Sequence, residues 1–214
     1  ATLTWEAPET PYAIMGYDYQ YKKASDSDWT SGSTTDTSVT IDGLSADTDY
    51  QFRVKALYDS DASIVVSLNF TTTISLPHEQ GFENGMGHWG MVNCNVDWGA
   101  ETDYSMYTGI RQQAKFGGEV GFQFYRYRDD NDKSIYQYLI SPRLPGSAPV
   151  DVTFSVRTID ECIENFRVGY STSTNDISAF AYGTNCIVED AKWYQFQGSF
   201  PAGAKYIIIK YLSS

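Results

Sequence analysis

Cysteine, histidine and long apolar runs are scarce in this sequence of 214 residues. The three cysteines, Cys94, Cys162 and Cys186, are an odd number and too widely spaced for a disulfide framework or a Cys-x-x-Cys zinc site. Buried free thiols and a Cys162–Cys186 bridge both stay open. His78 and His88 do not have a metal-binding spacing such as His-Glu-x-x-His. No stretch approaches the roughly 20 apolar residues of a spanning helix, so we expect no membrane insertion.

Positive charge is scarce as well, since 15 Lys and Arg stand against 27 Asp and Glu, a formal net charge of -12. Nucleic-acid phosphates repel such a chain, so nucleic acid is not an expected partner. Catalytic signatures are also missing. The sequence has no Gly-x-Ser-x-Gly elbow and no glycine-rich phosphate loop, and Gly117-Gly118 is typical of a hairpin turn. We therefore expect that the chain is not an enzyme.

Residues that favour β-strands are abundant instead, with 17 tyrosines and many threonines, serines and valines. Apolar and polar residues alternate in short runs along the chain, as at Tyr50, Phe52 and Val54. No stretch shows convincing helical periodicity, so an all-β fold is predicted. Pro77 cannot donate a main-chain hydrogen bond. The segment that ends at Pro77 is therefore the predicted boundary between two β-sandwiches.

Four motifs in residues 1–73 follow the strand order of one known family. They are Leu3-x-Trp5 for strand B, Tyr17-x-Tyr19-x-Tyr21 for strand C, residues 44–56 for the E–F corner and strand F, and Asn69-Phe70-Thr71-Thr72 for the end of strand G. Residues 1–73 therefore resemble a fibronectin type III domain whose strand A is missing. The resemblance implies that Tyr50 is the corner tyrosine, with its hydroxyl bonded back to the main chain.

A second set of motifs runs through residues 78–214. They are Gly81-Phe82-Glu83-Asn84-Gly85 with Trp89, Tyr138-Leu139-Ile140-Ser141-Pro142-x-Leu144, Glu164-Asn165-Phe166-x-Val168, and Trp193-x-x-Phe196 followed by 201–206. In this order they resemble the cleaved-adhesin/MAM-like domains of Bacteroidetes surface or secreted proteins. The resemblance implies a jelly-roll β-sandwich. We expect this domain to be C-terminally truncated and the chain to belong to a larger multidomain protein.

The second resemblance implies a secreted or cell-surface, non-catalytic module that binds glycans or extracellular proteins. Aromatic side chains are the candidate platform, because sugar C–H faces stack on Trp and Tyr rings. The candidates lie in a predicted loop or at outward strand positions: Trp98, Tyr104, Tyr107, Tyr125 and Tyr127. Ordinary packing within the sheets stays open for these rings. An alternative function is an accessory region of a secreted peptidase or glycoside hydrolase whose catalytic domain lies outside this sequence.

Calcium is the expected cofactor, in a structural role. It binds six to eight oxygen ligands, which carboxylates and amides supply. The resemblance places Glu83 where calcium ties the first strand to a neighbouring loop, with Asn95 and Asp97 as loop ligands. An exposed surface carboxylate is the alternative for Glu83. The run Asp129-Asp130-Asn131-Asp132 fails the EF-hand pattern because it lacks glycine at the sixth position, and it is typical of a solvated turn.

Overall fold

A computed structural model describes residues 1–59, 61–93, 108–112, 117–124, 136–159 and 162–212. In this part of the chain the elements with complete bounds are β-strands and one short 3-10 helix, Ile177–Ala179. The predicted all-β fold is confirmed. The chain divides into two compact units, Ala1–Ser75 and Leu76–Ser214. The domain bounds predicted from the sequence are 1–73 and 78–214, and these bounds remain predictions.

Six strands form two sheets in the described part of the first unit. They are β1 (Thr2–Thr4), β2 (Gly16–Lys23), β3 (Thr30–Thr34), β4 (Ser38–Thr40), β5 (Asp49–Leu57) and β6 (Val66–Thr71). β1 pairs with β4, and the other sheet has the order β3-β2-β5-β6. Alternate side chains of both sheets meet in one core: Leu3, Tyr17, Ile41, Phe52, Val54 and Ala56. The two sheets therefore form a β-sandwich.

The turn that leads into β5 is held by Tyr50. The side chain is only 4% exposed, and its hydroxyl accepts a hydrogen bond from the Ser45 amide at 3.0 Å. Its ring stacks on Phe70, with ring centroids 5.7 Å apart. The Thr72 hydroxyl donates a hydrogen bond to the Ser45 carbonyl at 2.6 Å. The predicted corner tyrosine is confirmed, because its hydroxyl binds the main chain five residues upstream.

The described part of the second unit contains ten strands. They are β7 (Gly90–Asn93), β8 (Gly109–Arg111), β9 (Gly121–Gln123), β10 (Tyr136–Ile140), β11 (Val150–Val156), β12 (Glu164–Ser171), β13 (Ala181–Tyr182), β14 (Cys186–Val188), β15 (Tyr194–Phe200) and β16 (Tyr206–Leu212). Six of them form one sheet in the order β13-β12-β16-β10-β7, with β14 also paired to β12. β11 pairs with β15, and β8 pairs with β9. All these pairs are antiparallel.

The six-stranded sheet uses its two faces differently, since successive side chains of a strand point to opposite faces. One face packs on β11 and β15, where the ring of Phe166 lies 5.8 Å from that of Phe154 and 6.0 Å from that of Phe196. This contact is the sandwich core of the second unit. The other face carries a separate buried cluster: Tyr138, Ile140, Phe180 and Ile208. Next to this cluster, on the same face, lies Lys210.

Candidate functional site

Three central strands of the six-stranded sheet place a tyrosine, a lysine and an arginine in one row. Tyr138 on β10 lies directly opposite Lys210 on β16, and Lys210 lies directly opposite Arg167 on β12. Directly opposite residues of antiparallel strands project from the same face. The three side chains therefore share the face that turns away from the sandwich core.

Three tyrosine rings surround the Lys210 ammonium. Its Nζ lies 4.1 Å from the ring centroid of Tyr136, 5.3 Å from that of Tyr182 and 5.5 Å from that of Tyr138. These distances allow cation–π attraction. Tyr138 is buried, Tyr182 and Lys210 are half-buried, and Tyr136 is 36% exposed. The tyrosine–lysine cluster, defined as these four residues, thus has a closed floor and an open rim.

A glycine makes room for Tyr182. Gly169 on β12 lies opposite Tyr182 on β13, and a Cβ added there would lie 2.6 Å from the Ala181 carbonyl oxygen and 3.0 Å from Cδ1 of Tyr182. The missing side chain therefore lets the ring lie close over the sheet. Burial, with a smaller contribution from Tyr138, raises the pKa of Tyr182 to about 12. Its hydroxyl is protonated at neutral pH, as that of an ordinary tyrosine is, and it donates a long hydrogen bond of 3.4 Å to the Ile177 carbonyl.

The row carries positive charge that the described residues do not neutralise. Arg167 is exposed, and its Nε donates a hydrogen bond to Oδ1 of Asn185. The ion pairs seen within the described residues are Lys55 with Asp18 and Lys192 with Asp190. No described carboxylate lies within 4.0 Å of the Lys210 or Arg167 nitrogens. Two cations thus face each other on neighbouring strands of a strongly acidic chain.

The ligand platform predicted from the sequence lies outside the described residues, and so do two of the three predicted calcium ligands. These residues are Trp98, Tyr104, Tyr107, Tyr125, Tyr127, Asn95 and Asp97. They stay predictions. The tyrosine–lysine cluster was not predicted, because Lys210 falls within the near-continuous apolar run 206–211. One signal was present: Lys210 is the single charged residue of that run, and a charge on an otherwise covered strand indicates a specialised environment.

Glu83 is exposed and binds the main chain of a distant segment. Its Oε1 accepts a hydrogen bond from the Glu119 amide at 2.9 Å and a longer one from the Val120 amide at 3.4 Å. Gly118 permits this approach, since a Cβ at that position would collide with Oε1. The described residues contain no group of three His, Cys, Asp or Glu that could hold a metal. Glu83 alone does not make a calcium site, and calcium stays a prediction that needs further ligands.

Two of the three cysteines are described, and both are free thiols. Cys162 is exposed and Cys186 is half-buried. The structure thus contains neither the Cys162–Cys186 bridge nor a fully buried pair of thiols. Burial raises the pKa of the Cys186 thiol. Since the thiolate is the reactive form, this shift disfavours Cys186 as a nucleophile at neutral pH.

A second aromatic group lies on the outer face of the first unit. The Arg53 guanidinium lies 4.1 Å from the ring centroid of Trp29, and the Lys22 ammonium lies 5.3 Å from it. Arg53 Nε also donates to Oε1 of Gln20 at 2.7 Å, and Lys22 Nζ donates to the Asp26 carbonyl at 2.6 Å. These cations are satisfied within their own group. The arrangement stabilises the turn before β3 rather than offering free donors.

Comparison with known families bears on the first unit. Residues 1–68 match the fibronectin type III domain family. This unit is a fibronectin type III domain. The family predicted from the motifs of residues 1–73 is thereby confirmed. Comparison with curated proteins gives no match.

Solved structures to which this chain is similar include two cleaved adhesin domains of Lys-gingipain from Porphyromonas gingivalis W83. The K3 domain is 22% identical at a TM-score of 0.45, covering 63% of this chain and 86% of its own. The K1 domain is 19% identical at a TM-score of 0.47, covering 63% and 87%. The tandem CBM22 domains of Paenibacillus barcinonensis Xyn10C are 9% identical at a TM-score of 0.36, covering 99% and 68%. Similarity at this level says nothing about ligand or activity.

Within the described ranges, no helix is long and apolar enough to cross a bilayer.

Proposed function

We propose that this chain is a non-catalytic binding region of a secreted or cell-surface protein. In this proposal the fibronectin type III domain is a spacer, and the second unit binds a glycan or an extracellular protein. The tyrosine–lysine cluster is the observation that carries the proposal. It combines aromatic rings with polar groups at an open rim, which is the composition of many ligand sites.

Each group on this face has a separate role in recognition. Tyr136 offers an exposed ring that can stack on an apolar surface of the ligand. The Tyr182 hydroxyl donates a long 3.4 Å bond to the Ile177 carbonyl, which a ligand oxygen could replace. Lys210 and Arg167 supply charged donors that strengthen hydrogen bonds to ligand oxygens. None of these roles includes a positioned general base or an activated nucleophile. The ligand is therefore expected to leave the site chemically unchanged.

The affinity of one such site should be low. A single stacked ring contributes only about 0.5–1.5 kcal/mol beyond its buried area. One copy should therefore bind in roughly the micromolar to millimolar range. Repeated modules in a longer protein would raise the avidity. The same binding step would serve an adhesin or the accessory region of a secreted hydrolase.

An immobilised-ligand screen with the intact chain tests the proposal. Glycans and extracellular matrix proteins are arrayed and probed with the wild type, Tyr136→Ala and Tyr12→Ala. Tyr12 is a matched control, because it is 70% exposed and lies in the other unit. We expect the wild type and Tyr12→Ala to bind a ligand that Tyr136→Ala binds at least several-fold more weakly. Mass spectrometry should recover that ligand intact.

Two results would contradict the proposal. One is the absence of wild-type binding to every arrayed glycan and matrix protein. The other is equal binding by the wild type and Tyr136→Ala, which would place the site elsewhere. Far-ultraviolet circular dichroism of each variant confirms that the fold is intact before binding is compared.

A further inference from the structure

We infer that the tyrosine–lysine cluster, together with Arg167, recognises a sugar that carries a carboxylate, of the uronic or sialic acid type. The inference rests on the proposed function and names its ligand class. It starts from a feature that a purely structural sheet face does not explain. That feature is the pair of cations, Lys210 and Arg167, placed directly opposite each other on β16 and β12.

Like charges that lie directly opposite on neighbouring strands destabilise a sheet. Acidic residues outnumber basic ones in this chain, 27 to 15. Even so, no described carboxylate lies within ion-pair distance of Lys210 or Arg167. A carboxylate supplied by a ligand would neutralise both cations at once. The same anion would stabilise the sheet, because it relieves their mutual repulsion.

The shape of the donors also fits a carboxylate. Asn185 binds Nε of Arg167 through its Oδ1 and thereby orients the guanidinium. The planar guanidinium forms paired hydrogen bonds with the two oxygens of a carboxylate. Lys210 adds a point charge from the adjacent strand. Its three surrounding rings restrict where the ammonium can move.

The position of the site favours a sugar over an acidic peptide. Extended peptides are commonly bound by main-chain pairing at the edge of a sheet. The row lies on β10, β16 and β12, and each of these strands has partners on both sides. The outer partner of β12 changes from β14 to β13 beside Arg167, and there the Gly183 amide donates to the Val168 carbonyl at 2.9 Å. We therefore expect recognition to come from side chains. Around the cations these are phenol rings and hydroxyl groups, which match the C–H faces and hydroxyls of a sugar ring.

Matched acid and neutral ligands test the inference with the intact chain. Calorimetric titration compares tetragalacturonate with its methyl ester, and sialyllactose with lactose. A poly-glutamate peptide presents carboxylates without a sugar ring. The variants are Lys210→Met and Arg167→Gln. The control is Lys192→Met, whose ammonium pairs with Asp190 at 3.1 Å in an exposed turn.

We expect at least one acid sugar to bind about tenfold or more tightly than its neutral counterpart. Lys210→Met and Arg167→Gln should each remove most of that preference, and Lys192→Met should keep it. The preference should shrink as salt is raised, because salt screens charge pairs at a partly exposed site. Arg167 is exposed, so Arg167→Gln keeps the test valid if Lys210→Met disturbs the packing of the rings.

The contrary outcomes separate the two proposals. Equal binding of acid and neutral sugars, with no loss in Arg167→Gln, overturns the acidic ligand and leaves a binding module in place. Binding of poly-glutamate as tight as that of the acid sugars overturns the sugar and indicates an acidic protein partner. Failure of the wild type to bind any glycan or matrix protein overturns both.

Discussion

A single phenolic hydroxyl holds the corner of the fibronectin type III domain. Tyr50→Phe keeps the buried ring but leaves the Ser45 amide without its 3.0 Å acceptor. Ser45 is exposed and the bond is only part-buried, so the loss is the net value of one hydrogen bond, about 0.5–1.5 kcal/mol. We expect the free energy of unfolding of this domain to fall by that amount in urea denaturation of the intact chain. Tyr12→Phe is the control, since Tyr12 is 70% exposed. An unchanged midpoint for Tyr50→Phe would contradict the role of the corner.

The Glu83 carboxylate could act in two ways, by accepting main-chain hydrogen bonds and by binding calcium. Two substitutions, Glu83→Gln and Glu83→Ala, separate these roles. Accepting the Glu119 and Val120 amides requires only an oxygen, which glutamine also has. Calcium favours charged carboxylate ligands. Glu83→Gln should therefore keep the main-chain bonds and weaken any calcium site, whereas Glu83→Ala should lose both.

Melting temperatures measured with calcium and with chelator give the readout. If calcium binds, the wild type melts higher with calcium, because a ligand of the folded state stabilises it. Glu83→Gln should match the wild type in chelator and gain little from calcium. Glu83→Ala should melt lower in both conditions. Equal wild-type melting temperatures would remove the calcium site, and Glu83→Ala would then test the main-chain bonds alone.

At the scale of strands, the alternation of apolar and polar residues predicted the buried positions of the first unit, but it did not predict the surroundings of Lys210 in the second. Tyr50, Phe52 and Val54 alternate, and all three are buried as that pattern predicts. The surroundings of Lys210 depend on which strands flank β16. Its neighbours, Tyr138 and Arg167, come from strands far away in sequence. Pairing of this kind depends on register, and no local pattern of residues specifies it.

Strand β6 shows that the opposing sheet determines how deeply a strand residue is buried, and therefore how much its side chain stabilises the domain. Val54 on β5 and Val66 on β6 lie directly opposite each other and project from the same inner face. Val54 is 7% exposed and Val66 is 60% exposed. In the described part of this unit, the opposing sheet has only β1 and β4. Two strands leave the inner side of β6 largely uncovered.

This pair gives an internally controlled prediction. Val54→Ala removes the same two methyl groups as Val66→Ala, but from a buried site. We expect Val54→Ala to lower the free energy of unfolding by about 2 kcal/mol. Val66→Ala should change it by less than about 0.5 kcal/mol. Urea denaturation of the two variants checks both values. Equal losses would show that β6 is covered in solution by something that the structure does not describe.

At the scale of the whole molecule, the net charge of -12 and the proposed acidic ligand are compatible. At physiological salt the Debye length is about 8 Å. Exposed carboxylates farther away than this act only weakly on a bound ligand, whereas Lys210 and Arg167 would touch it. The acidic surface still repels extended polyanions such as nucleic acids. In the proposed binding mode the molecule would reject long phosphate chains and accept a short acid sugar whose carboxylate reaches the cluster.

Each of the two units has its own core, so they should unfold in separate transitions. Each unit has a tyrosine hydroxyl that makes a part-buried hydrogen bond. In the first unit the Tyr50 hydroxyl accepts from the Ser45 amide, and in the second the Tyr211 hydroxyl donates to Oε2 of Glu164 at 2.7 Å. In differential scanning calorimetry of the intact chain we expect two transitions. Tyr50→Phe should lower one of them and Tyr211→Phe the other, because each removes a part-buried hydrogen bond within a single unit. A single transition lowered by both substitutions would mean that the two units unfold as one cooperative body.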